Sequence, residues 1–81
     1  MWIEEKNRLQ AKFKFKDFTQ AFAFMTEVAA VVEEMGHHPN WSNVWDTVEI
    51  QLTTHDAGNI VTDKDRRLAD AIDGVYGKYK S

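Results

Sequence analysis

The chain's 81 residues leave room for one domain, expected to run from residue 1 to 81, and a domain of this size buries only about 60 to 65% of its unfolded surface. It has no cysteine, which excludes disulfides and thiolate metal sites and points to an intracellular, cytoplasmic protein. A formal net charge of −3 with acids and bases intermixed argues against direct nucleic-acid binding, which needs a basic patch, and no apolar run approaches the roughly 20 residues of a membrane span.

The start, Met1-Trp2-Ile3-Glu4-Glu5, has neither the basic residues nor the apolar stretch of a secretory leader. From Arg8 to Phe15 the chain alternates strictly: Leu9, Ala11, Phe13 and Phe15 are apolar, Arg8, Gln10, Lys12 and Lys14 polar. This period of two predicts a half-buried strand. The basic row Lys12, Lys14 and Lys16 then reads as its solvent side, and Trp2–Glu5 as an antiparallel partner across a turn near Lys6-Asn7.

Asp17 is placed to cap a helix, with Gln20 at its third position. Two apolar rows follow at helical spacing, Phe18, Phe22, Met25, Ala29 and Val32 beside Ala21, Phe24, Val28 and Val31. One row is enough to cover a sheet, so the second predicts a buried or subunit-facing helix and hence a homo-oligomer, dimer or tetramer. Gly36 should end the helix, and the residue before Pro39 is held out of helical geometry.

A second hairpin is predicted from Ser42–Trp45 and Val48–Thr53 around a turn at Asp46-Thr47, and a final helix from about Asp63 to Tyr79, with Thr62 and Asp65 as a capping pair. The helix presents Leu68, Ala71, Ile72, Val75 and Tyr79 as its apolar face. The order β-β-α-β-β-α predicts an α+β fold of two layers, a four-stranded antiparallel sheet with both helices on one face.

Three histidines fall at element ends: His37 and His38 just past the first helix, His55 at the end of the last strand. With the turn at Asp46-Thr47, Trp45 opposes Val48, and extending that register outward pairs His38 with His55. Directly opposed residues share a face with Cβ atoms about 5 Å apart, so all three imidazoles are expected at one end of the sheet. Glu33 lies four residues before His37 and Asp56 follows His55; Trp41 and Trp45 share a strand face that could floor a pocket for a flat ring, although residue type alone assigns them to the core. Imidazoles exchange protons near neutral pH. With no thiol, and no His-x-x-x-His pair to favour zinc, metal-free acid–base chemistry on a heterocycle fits better than a metal site, and on chemistry alone it stands level with histidines that have no catalytic role.

The spaced set Glu33-x-x-x-His37-His38-Pro39, then Trp45, His55 and Asp65, resembles the signature of the pterin-4a-carbinolamine dehydratases. Phe15-Lys16-Asp17-Phe18, Asn43-Val44 and Thr54-His55-Asp56 add to the likeness, which runs from Trp2 to about Ile72. It departs in lacking the family's usual N-terminal helix and in carrying Asn59 where a second glycine is common after Gly58. The resemblance implies dehydration of a 4a-hydroxytetrahydropterin to the quinonoid dihydropterin, in the recycling of tetrahydrobiopterin, without metal or organic cofactor. It further implies that His37, His38 and His55 are catalytic, that Glu33 and Asp65 are supporting acids, and that His37–Pro39, Trp45 and Thr54, His55, Asp56 and Ala57 contact the pterin. The alternative it carries is a protein-binding dimerisation module or transcriptional coactivator with no catalytic role.

Overall fold

The computed structural model describes residues 1–79. Its elements are β1 (Ile3–Glu5), β2 (Arg8–Lys14), α1 (Phe18–Met35), β3 (Asn40–Val44), β4 (Thr47–Leu52) and α2 (Asp63–Tyr76), with a 3₁₀ turn at His55–Ala57 between β4 and α2. The sheet is antiparallel throughout, in the order β1-β2-β4-β3. The two hairpins join through β2 and β4, where Leu9 faces Leu52 and Phe13 faces Val48. The predicted α+β architecture is the one observed.

Strand alternation builds the core. Leu9, Ala11 and Phe13 of β2 and Val48, Ile50 and Leu52 of β4 are buried, and they cluster with Ala21, Phe24, Val28 and Val32 of α1 and Leu68, Ala69 and Ile72 of α2. Both helices therefore cover the same side of the sheet. At one end of this core the rings of Phe13, Phe24 and Tyr76 sit 4.8 to 5.9 Å apart, contacts worth about 0.5 to 1.5 kcal/mol each beyond area burial. Lys6 and Asn7 both have positive φ, which gives the β1–β2 turn the primed geometry that matches strand twist.

Helix α1 is capped as its sequence predicts. Asp17 Oδ1 accepts the Gln20 N–H at 2.9 Å, and Gly36, at φ 65°, closes the other end with its N–H on the Val32 carbonyl. Of the second apolar row Ala21, Phe24 and Val28 are buried and Val31 half-buried; of the first Val32 is buried, while Phe18 and Phe22 are exposed and stack on each other with centroids 5.7 Å apart.

Two expectations are corrected. The β3–β4 turn is Trp45-Asp46 rather than Asp46-Thr47: Val44 faces Thr47 and Asn40 faces Gln51. The register is set because Thr47 is already paired with Lys14 of β2, while the Asn43 amide donates across the turn to the Thr47 and Trp45 carbonyls at 2.9 and 3.2 Å. Helix α2 ends at Tyr76, three residues short of the prediction, and the Tyr79 N–H bonds the Tyr76 carbonyl in a separate turn. Gly74 and Gly77 weaken that end by up to about 1 kcal/mol each relative to alanine. Among the described residues no helix is long and apolar enough to cross a membrane.

Candidate active site

The left-handed Gly36 releases the chain from α1 so that two adjacent imidazoles part company. The His37 side chain is 13% exposed and turns towards α2, whereas that of His38 is 64% exposed.

Behind His37 lies a closed polar network. Its Nε2 donates to Asp65 Oδ1 at 2.5 Å. The other carboxylate oxygen, Oδ2, accepts from the Thr54 hydroxyl at 2.7 Å and from the Thr62 backbone N–H at 2.9 Å, and the Thr54 and Thr62 hydroxyls are 2.5 Å apart. Asp65 is fully buried, yet among the described residues no buried side-chain polar atom lacks a partner. Burial by itself pushes the Asp65 carboxyl up. The hydrogen bonds from His37, the Thr62 N–H and Thr54 together outweigh it and hold the group below its ordinary range. Asp65 thus caps α2, pins Thr54 at the end of the sheet and fixes the His37 ring in one tautomer. The nitrogen that His37 spends on Asp65 is not free for a ligand.

In front of the network, at the edge of the sheet, is a cleft of about 250 Å³ lined by His38, Pro39, Asn40, Gln51, Thr53 and His55 together with Arg8 and Asn59. His38 reaches it from the segment leading into β3, with Nε2 3.7 Å from Glu33 Oε2. His55 enters from the 3₁₀ turn, and its Nδ1 is 2.8 Å from Asn59 Oδ1. Arg8 Nη1 donates to Gln51 Oε1 at 2.8 Å, which fixes both side chains on one wall. The volume falls a little below the usual range for drug-sized ligands and suits a small bicyclic ring. A larger hollow of about 460 Å³ lies over the open face of the sheet, lined in part by Met1, Ile3, Gln10 and Lys12. No imidazole lines it, whereas His38 and His55 both line the smaller cleft. Among the described residues no three His, Cys, Asp or Glu side chains are arranged to hold a metal ion.

The profile of the pterin 4 alpha carbinolamine dehydratase family matches residues 1–75. The chain belongs to this family. A family member from Synechococcus sp. (strain WH7803) is 54% identical over 74 residues, 91% of this chain and 78% of the relative. One from Paraburkholderia xenovorans (strain LB400) is 54% identical over 70 residues, 86% and 72% of the two chains. Among solved structures, a transcriptional coactivator/pterin dehydratase from Brucella melitensis superposes with a TM-score of 0.86 at 36% identity, over 91% of this chain and 80% of that one. A pterin dehydratase-like protein identified as a RuBisCO assembly factor in the alpha-carboxysome gives 0.77 at 28% identity, over 95% and 88%.

Within this dehydratase fold the predicted residues divide. His38, Pro39 and His55 line the cleft. His37, Thr54 and Asp65 form the network behind it. Glu33 is 79% exposed and touches only the rim through His38. Asp56 and Ala57 are exposed on the 3₁₀ turn and do not line the cleft. Trp45 sits at the opposite end of β3, 65% exposed in the hairpin turn, roughly 16 Å along the strand from Asn40, which itself follows the histidines. Within one chain it cannot floor the pocket; its positive φ of 50° makes it a turn residue. The predicted pairing of His38 with His55 also gives way, because the observed register carried outward sets His38 opposite Thr53. Both imidazoles still line one cleft, His55 from the 3₁₀ turn rather than from the end of the last strand, where it was expected. Arg8, Asn40, Gln51, Thr53 and Asn59 were not foreseen as cleft residues. Arg8 at the start of β2, Asn40 at the start of β3 and Gln51 and Thr53 at and just past the end of β4 share the histidines' end of the sheet, which is the signal that could have found them; Asn59 follows the 3₁₀ turn that carries His55.

Proposed function

We propose that the chain catalyses dehydration of a 4a-hydroxytetrahydropterin to the quinonoid dihydropterin, with His38 and His55 exchanging protons with the substrate. The observation that carries this reading is the shared cleft of these two imidazoles. One ring, protonated, gives its proton to the C4a hydroxyl as the C–O bond breaks, so that the oxygen leaves as water. The electron pair on N5 forms the new double bond, and the other ring accepts the N5 proton. Each well-placed transfer is worth about 10²- to 10⁴-fold. Asp65 and His37 hold the cleft's back wall, and Glu33 supplies a negative charge at its rim. Asn40 and Gln51 offer amides suited to the hydrogen-bonding edge of a pterin. Tetrahydrobiopterin recycling in the cytoplasm is the setting this chemistry fits, and the lack of cysteine agrees with a reducing compartment.

The test is to generate the carbinolamine and follow its decay by absorbance with and without protein. Acceleration is the expected result; equal rates would end the reading, and activity abolished by a chelator would transfer it to a metal. A second reading, a protein-binding module, draws on the exposed Phe18–Phe22 stack of α1, which we propose is covered in a homo-oligomer. Light scattering on Phe22→Asp is expected to give a smaller assembly than wild type.

A further inference from the structure

We propose that Asn59 is a positioning residue for His55: its side-chain oxygen holds the Nδ1 hydrogen and leaves Nε2 as the proton-accepting atom of the neutral ring. The inference deepens the proposed dehydratase reading and rests on it for its catalytic consequence, though not for its geometry.

The segment from Thr54 to Ile60 is closed on itself. The Thr54 N–H bonds the Ile60 carbonyl at 2.9 Å, the Asn59 N–H bonds the Thr54 carbonyl at 3.0 Å and the Gly58 N–H bonds the His55 carbonyl at 3.0 Å. The backbone of Asn59 is therefore fixed relative to His55. Its φ of 61° lies in the left-handed region, where glycine is the default occupant and asparagine is among the few other residues tolerated. A glycine would satisfy the backbone but bring no functional group. Asparagine satisfies it and delivers a carboxamide to the ring, Oδ1 standing 2.8 Å from Nδ1.

A carboxamide oxygen only accepts hydrogen bonds, so Nδ1 must carry the hydrogen. Histidine in water prefers the other tautomer, with the hydrogen on Nε2. The contact thus reverses the ring's ordinary preference, and it does so at one of the two imidazoles lining the cleft, where the partner of Nδ1 decides what Nε2 can do. The other charged or titratable groups around His55 are Asp56, its neighbour in sequence, and Arg8 and His38, which line the same cleft. Arg8 is engaged with Gln51 and His38 with Glu33. Among the described residues Asn59 is the side chain hydrogen-bonded to the His55 ring.

Nitrogen-15 NMR of the full chain labelled at histidine, at a pH where the rings are neutral, reads the tautomer directly. His55 is expected as the Nδ1–H form in wild type and mainly as the Nε2–H form in Asn59→Gly, whose backbone suits the left-handed position. Asn59→Asp keeps an acceptor oxygen and is expected to restore the wild-type pattern. In the absorbance assay Asn59→Gly should lower kcat about tenfold or more, up to about 100-fold, with KM little changed. A wild-type His55 in the Nε2–H form, or the same tautomer in wild type and Asn59→Gly, would overturn the proposal, and the wild-type spectrum decides this even if a variant fails to fold. The expected tautomers in a protein without dehydratase activity would uphold the positioning and reject the proposed function; the expected tautomers with an unchanged kcat would confine Asn59 to a structural tie and overturn its catalytic part.

Discussion

His37 and His38 are neighbours in sequence with the same side chain, and the fold gives them opposite employment. His37 is drawn against a fully buried carboxylate and belongs to a network whose every member is satisfied. His38 stands largely in solvent on the rim of a cleft that His55 also lines, with the Glu33 carboxylate 3.7 Å from its Nε2. The difference teaches that adjacent histidines can be put to separate uses. Under the proposed function, the ring whose nitrogen is committed to a buried acid supplies rigidity, because moving its proton would unbalance three other hydrogen bonds, and the open ring is the one proposed to exchange protons with the substrate. The sharpest way to break this division is to remove each ring alone. His38→Ala and His55→Ala are each expected to cost about 10²- to 10⁴-fold in carbinolamine turnover, with urea midpoints within the roughly 0.5 kcal/mol scatter of surface substitutions. If His38→Ala unfolded the chain, or left turnover intact, the two regions would not differ as described.

The inner region should answer in stability rather than rate. Asp65→Ala strands the His37 ring, the Thr54 hydroxyl and the Thr62 N–H at once. Removing one member of such a buried charged cluster costs about 3 to 5 kcal/mol, and each kcal/mol lowers Tm by about 4 to 8 °C in a domain of this size. Calorimetry of the variant against wild type measures it, and a fall of only a few degrees would mean that the network is slack.

A finer probe of the same region is pH. The Asp65 carboxyl is held below its ordinary 3.8 in the fold, so the folded state is favoured whenever the group is ionised. That stabilisation is complete above the unfolded value and disappears as pH falls through the lower, folded one. Urea midpoints taken from roughly pH 5 down to pH 2 should therefore drop more steeply for wild type than for Asp65→Asn. Parallel slopes would assign acid sensitivity to other carboxylates.

What could be read without coordinates, and what could not, follows the same line between regions. Strand alternation in Leu9–Phe15 and Val48–Leu52 and the Asp17 and Gly36 caps are local signals, and they fixed the element order and the core rows correctly. The resemblance of the spaced histidines was specific enough to indicate the family. The register of the second hairpin was misjudged because Trp45-Asp46 carries no favoured turn pair, and the pairing is imposed from β2 through Thr47 and Lys14, a contact between distant segments. The resemblance had put Trp45 against the pterin, whereas within one chain its left-handed backbone holds it in the hairpin turn. The opposite orientations of His37 and His38 depend on where Asp65 lands once α2 has docked, which no local pattern encodes. Asn59 is the converse case: its unusual residue type was visible, but its use was not, because the loop closure that aims it at His55 is a property of the folded backbone.

The smallest effect is expected at Glu33, and its size is informative because two opposing influences meet there. Glu33 lies in the last turn of α1, where a negative charge opposes the helix dipole at a cost of about 0.3 to 1 kcal/mol. Its contact with His38 spans 3.7 Å between side chains 79% and 64% exposed, an arrangement that stabilises by about 0 to 1 kcal/mol at most. Glu33→Gln removes both, so its net effect on stability should fall within about 0.5 kcal/mol of zero. Any effect on turnover should act through the electrostatics of the His38 ring and shrink with added salt, since the screening length falls from about 10 Å at 0.1 M to about 3 Å at 1 M. The measurement is the wild-type-to-variant ratio of kcat/KM at those two salt concentrations. A hundredfold loss that persists at high salt would make Glu33 a direct proton carrier, and the outer cleft would then need three acid–base groups where two imidazoles have been assigned.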